Sequence, residues 1–222
     1  MPMTTTRRAR PGGDPAPERL LQPGDDLAAA IAGAPAGAVL QLAAGTYELA
    51  QTVRLDRAIT LRGAGRHHTR LEGRGADAVL HVAPAGRLLA QGLTVAYGGE
   101  RPADVLLVEG RLDLENGGVE GGRLATGAGA DGPGGTGVRL VGCATAAILS
   151  GAIGPNGGHG VAATDDAALA LDGGSLARND GCGLALTGRA AAVLRAVGCE
   201  GNTLHGLSAR DEATADVEGG RF

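Results

Sequence analysis

Along residues 137–222 apolar positions alternate with small or polar ones in runs of three to five residues, as at Val138 and Leu140 or Leu169 and Leu171. Alternation of period two is strand spacing, with one set of side chains turned to a common side. Gly, Asn and Asp separate the runs and mark turns. The runs also recur. Gly137, Gly160, Gly183 and Gly206 stand 23 residues apart, and other columns fall into register with them. These read Val138, Val161, Leu184, Leu207; Ala144, Ala167, Ala190, Ala213; Ile148, Leu171, Leu194, Val217; Ile153, Leu176, Cys199, Phe222; and Asn156, Asn179, Asn202. A unit of short strands that repeats at this length predicts one turn of a parallel β-helix. Like residues then stack about 4.8 Å apart, the apolar columns forming the core and the Asn column an amide ladder. Two charged columns alternate in sign, Asp166–Arg189–Glu212 and Asp172–Arg195–Glu218, which favours the same register.

Upstream the period loosens. Residues 86–95 match residues 110–119 at an offset of 24. Residues 121–136 are Gly-rich, fit no turn and read as a loop leaving the barrel. Residues 23–36 predict a capping helix over the first turn: Asp25 or Asp26 offers an N-cap, Leu27 and Ile31 share a face, and Pro35 ends it. Residues 1–22 are Arg- and Pro-rich and read as a mobile lead. Phe222 falls seventeen positions into its repeat, so the expectation is either a longer natural chain or association of this uncapped end with a partner. The fold class expected is all-β, a single domain of about eight turns over residues 37–222.

Composition narrows the classes. Gly supplies 41 of 222 residues, too many for a helical bundle, and does not fall at every third position as in collagen. With 43% hydrophobic residues the chain can form a core. A net charge of -4 and 1% aromatics argue against a nucleic-acid partner. No apolar run is long enough to span a membrane, and no signal peptide is evident. Cys143, Cys182 and Cys199 form no framework and suggest free thiols in the cytoplasm. All 20 basic residues are Arg, which removes Lys-based chemistry.

Gly37, Leu40, Leu42, Gly45, Tyr47, Leu61, Gly63 and Gly65 match the opening of the pectate-lyase-like superfamily, which the chain resembles over residues 23–222. The resemblance implies a right-handed parallel β-helix. It leaves activity open, since that superfamily holds polysaccharide lyases, glycoside hydrolases, uronate epimerases and members without known chemistry. Gly158-His159-Gly160 and the pair Asp165, Asp166 resemble two hydrolase motifs of the superfamily, but in reversed order and without the remaining motifs. Neither a lyase constellation of Arg beside acidic Ca²⁺ ligands nor the epimerase signature is evident.

Candidate chemistry is therefore sparse. His159, Cys182 and His205 each precede a repeat Gly and would stack in a line, as zinc ligands or as a thiolate beside histidine. A tolerated corner column is the structural alternative, because a linear stack suits a tetrahedral site poorly. Asp165 and Asp166 could supply paired carboxylates, yet adjacent residues on a strand point to opposite sides. His67, His68 and Arg70 could meet a sugar or anion from a turn. Asp131 and Arg123 are the polar groups of the Gly-rich loop. The leading expectation is a rigid scaffold binding a glycan or protein along a lateral face, with no cofactor or metal. The alternative is a carbohydrate-active enzyme, or a small-molecule biosynthetic enzyme on the same fold.

Overall fold

The computed structural model describes residues 18–222; of the mobile lead expected over residues 1–22, residues 1–17 lie outside them. The last part of that lead is instead β1 (Glu18–Leu21), paired in parallel with β2 (Ala38–Leu42). Four residues carry too little periodicity to announce a strand. Burial holds it: Leu21 is fully buried, and its carbonyl accepts the Tyr47 hydroxyl at 2.8 Å. The helix α1 (Leu27–Gly33) is shorter than its Pro-flanked segment. Asp26 caps it by accepting the Ala29 N–H at 2.8 Å, and Leu27, Ala30 and Ile31 enter the core.

The chain then winds through repeated turns of three strands. The first is β2, β3 (Gly45–Leu49) and β4 (Val53–Leu55); the second β5 (Ala58–Arg62), β6 (Thr69–Gly73) and β7 (Leu80–Val82). Next come β8 (Arg87–Gln91), β9 (Thr94–Tyr97) and β10 (Leu106–Val108), then β11 (Arg111–Glu115), β12 (Gly118–Glu120) and β13 (Val138–Leu140). The fifth and sixth turns are β14 (Thr145–Leu149), β15 (Ala152–Ile153), β16 (Val161–Ala163) and β17 (Ala168–Asp172), β18 (Ser175–Leu176), β19 (Leu184–Leu186). The seventh is β20 (Ala191–Gly198) and β21 (Leu207–Ala209), and β22 (Thr214–Arg221) opens an eighth. Every strand pairs in parallel with its counterpart one turn away, giving three long sheets around one core, the first and second joined at β20. The architecture is a parallel β-helix of about eight turns.

The predicted columns are the observed registers. Val138, Val161, Leu184 and Leu207 pair in series, as do Ile148, Leu171, Leu194 and Val217. The offset of 24 holds where Arg87 faces Arg111 and Thr94 faces Gly118. Asn156 Nδ2 donates to Asn179 Oδ1 and Asn179 Nδ2 to Asn202 Oδ1, both at 2.9 Å, so the ladder forms. This ladder explains the Gly column. A Cβ on Gly160 would lie 2.6 Å from the Gly183 carbonyl oxygen and 2.8 Å from Asn179 Nδ2, and Gly137 and Gly183 are equally confined. Of the charged columns, Arg189 pairs with Asp166 at 2.7 Å and Arg195 with Glu218 at 2.9 Å.

The corners are marked by left-handed residues. Between the first and second sheets these are Gly92, Asn116, Ser150, Gly173, Ala196 and Gly219 in successive turns. Before the first sheet they are Gly142, Asp165, Gly188 and Asp211. Asp and Asn tolerate this conformation through local hydrogen bonds, whereas Ser and Ala sit there at a cost.

Candidate functional site

The outward face of the second sheet carries a cluster of charged residues. Glu48 on β3 neighbours Glu72 on β6, and Ala96 on β9 separates Glu72 from Glu120 on β12. Arg70, two residues before Glu72 on β6, reaches across the fully buried Ala96 to hydrogen-bond Glu120. Its Nε lies 3.4 Å from Glu72, and Arg74 approaches Glu72 at 3.7 Å. Burial works against the Arg70 charge, but the Glu120 and Glu72 carboxylates overcome it and hold the guanidinium more firmly protonated than usual. All three side chains remain about one-third exposed, so they are open to a ligand. The long connections 98–105 after β9 and 121–137 after β12 flank this strip.

The Gly-rich segment does not simply leave the barrel. Ala103 and Arg123 exchange backbone hydrogen bonds at 2.8 and 2.9 Å, and Leu124 bridges Gly134. Asp104, 6% exposed, accepts the Thr136 N–H at 2.8 Å and the Arg139 Nε at 2.6 Å, closing the far end of the insertion. The Gly content disguised this as a free loop, because the anchoring bonds are made by backbone and by residues distant in sequence.

His159, Cys182 and His205 do stack at successive corners, but through the backbone. His159 Nδ1 accepts the Cys182 N–H at 2.9 Å, and its Nε2 faces Asp131 Oδ1 at 3.0 Å. Both ring nitrogens are thereby committed. Burial pushes the Cys182 thiol up, although the His205 backbone contact opposes it, so the thiolate is disfavoured. His205 is exposed. Among the described residues no cluster of His, Cys, Asp and Glu could hold a metal ion.

Asp165 and Asp166 are drawn apart. Asp165 occupies a left-handed corner and caps Gly142 N–H at 2.9 Å, while Asp166 forms a two-pronged pair with Arg189 at 2.7 Å. His67 and His68 are exposed in the turn before β6; His67 accepts from Arg66 at 3.0 Å, and neither bonds Arg70. Of the residues singled out from sequence, the structure places Arg70 at the centre of a charged cluster. Its partner Glu120 was missed because it lies two turns along the stack from β6.

Two further polar groupings escaped the sequence. Arg54 Nη1 donates to His81 Nδ1 at 3.1 Å, and His81 Nε2 lies 2.7 Å from Glu109, along the third sheet. Asp113 sits between Arg87 and Arg111, each at 3.0 Å. Burial would raise its carboxyl, but hydrogen bonds from Arg111 and Arg87 hold it below the usual range. The alternation rule locates such residues on an outward face but not their partners on other turns.

Fold and site together define a parallel β-helix with a charged strip on one lateral sheet. No protein-family model matches the chain, and no curated protein matches it. Among solved structures it is similar to the PL6 family alginate lyase AlyGC, with 16% identity and a TM-score of 0.38, over 100% of this chain and 41% of that one. A mutant of that lyase gives 14% and 0.35 over the same shares. ORF18 of Geobacillus virus E2 gives 11% identity and 0.39, over 83% of this chain and 33% of that one. The chain thus spans less than half the length of each.

Proposed function

We propose that the protein is a rigid β-helix scaffold that binds a glycan along the outward face of its second sheet. The observation that carries this reading is Arg70 held between Glu72 and Glu120 on an open strip beside two long connections. Guanidinium and carboxylate groups fixed on a stiff sheet offer directional donors and acceptors to a hydroxyl-rich chain, with little side-chain entropy left to lose. A stack of parallel strands repeats every 4.8 Å or so, which suits a polymeric ligand lying along it.

The test is a thermal-shift series with oligogalacturonate, a neutral cello-oligosaccharide and a buffer control. Binding to the folded state alone raises the midpoint, by about 2.7 kcal/mol of stability at a hundredfold excess over Kd. An oligosaccharide shift that disappears in Arg70→Ala and Glu120→Ala supports the reading. A shift that survives both substitutions moves the site elsewhere, and no shift with any sugar sinks it.

The same cluster favours a second reading, a carbohydrate-active enzyme. A guanidinium between two carboxylates is chemistry able to neutralise or move a proton on an acidic sugar. New reducing ends or an unsaturated, ultraviolet-absorbing product would decide for it. Binding without either would leave the scaffold reading in place.

A further inference from the structure

The insertion after β12 is held differently at its base and its tip. At the base, Gly121 N–H donates to Pro155 O at 2.8 Å and Gly122 N–H to Asn156 Oδ1 at 3.0 Å. Fully buried Thr136 closes the other end. Between them, residues 123–134 contain no buried residue. Arg123 is tied to Ala103 by its backbone, and beyond it the backbone bonds of the tip are internal, from Ala125 to Pro133, Ala128 to Ala125 and Gly132 to Gly129. Its side-chain bonds to the body run through Asp131. One carboxylate oxygen faces His159 Nε2 at 3.0 Å, and the other faces the Arg210 guanidinium at 3.4 Å.

His159 is prepared for that contact. Its side chain is 4% exposed, and Nδ1 is occupied as an acceptor by the Cys182 N–H. The ring proton is therefore placed on Nε2, where it donates to Asp131. Residues 121–128 of the insertion form one wall of an open groove of about 570 Å³, whose other lining includes Tyr97, Gly98 and Asp180. Gly121, which follows Glu120 at the end of β12, also lines it.

We propose that residues 124–133 are a strap that forms a movable wall of this groove, and that Asp131 is its latch onto His159 and Arg210. A tip without buried apolar side chains has little burial to lose on opening, so the latch bonds govern its population. The consequence for glycan access rests on the function proposed above; the latch itself does not, and it is measured with no sugar present.

The chain has no Trp, and Tyr47 is buried away from the groove, so tyrosine emission can report on Tyr97. Amide hydrogen exchange across residues 124–133 and acrylamide quenching of that emission would be compared in wild type, Asp131→Ala and Arg210→Ala. In Asp131→Ala we expect exchange in the tip to rise about tenfold and quenching roughly twofold, with β13 and β16 unchanged. Arg210→Ala should act in the same direction but less, because its contact is longer and exposed. Unchanged tip exchange in Asp131→Ala overturns the latch. Faster exchange with unchanged quenching overturns the movable wall. Failure of the glycan reading would register separately, as the absence of a melting shift.

Discussion

Single residues hold the corners of this molecule. Ala196 has φ of 50° with no side-chain group to stabilise it, whereas its column neighbours include Gly173 and Gly219. Ala196→Gly should therefore raise stability by about 0.5–1 kcal/mol after the added chain entropy is counted. A rise of about 1–4 °C in the melting midpoint checks it. Asp113 makes the opposite case. It separates two stacked Arg side chains, so Asp113→Ala leaves Arg87 and Arg111 facing each other and should cost about 1–3 kcal/mol. Its carboxyl lies below the ordinary carboxylate value in the folded state, so the folded protein binds its proton less readily than the unfolded chain. The contribution is full above the ordinary value near 4, declines as pH falls through it and is lost below the depressed folded value. Urea titrations at several pH values, wild type against Asp113→Ala, should converge in acid.

At the scale of the element, the Asn ladder and the Gly column form one device. Each Gly lets the backbone of the next turn approach an amide that would otherwise strike a Cβ. Gly160→Ala should destabilise by about 1–3 kcal/mol through that clash. Asn179→Ala should cost about 2–4 kcal/mol, since it strips partners from both Asn156 and Asn202 and leaves buried amide groups unpaired. Denaturant midpoints would rank the two, and an Asn179→Ala protein as stable as wild type would show the ladder to be ornamental. These elements were legible from the sequence because a stack repeats its requirements turn by turn. β1 and the anchored insertion were not, because each is held by residues that occur once: Leu21 under Tyr47, and Arg123 beside Ala103.

Across the whole molecule, each turn packs chiefly on its neighbours, so damage should stay local. Leu171, buried in the sixth turn, stacks between Ile148 and Leu194. Leu171→Ala should cost about 2–5 kcal/mol, with hydrogen exchange rising most in turns five to seven. Uniform acceleration from β2 to β22 would instead show the stack to melt as one unit. No described helix is long and apolar enough to cross a membrane.

Over residues 137–222 the register and the identity of the core columns were determined by the sequence itself. A period of 23 places equivalent residues in hydrogen-bonding range of one another, so local pattern and long-range contact coincide. The side-chain clusters were decided only by the tertiary structure. Arg70 meets Glu120 across an intervening turn, and His159 meets Asp131 from an insertion outside the period. Periodicity states which residues share a column. It does not state which long side chain, on an open face, will reach past its neighbour to a partner of opposite charge.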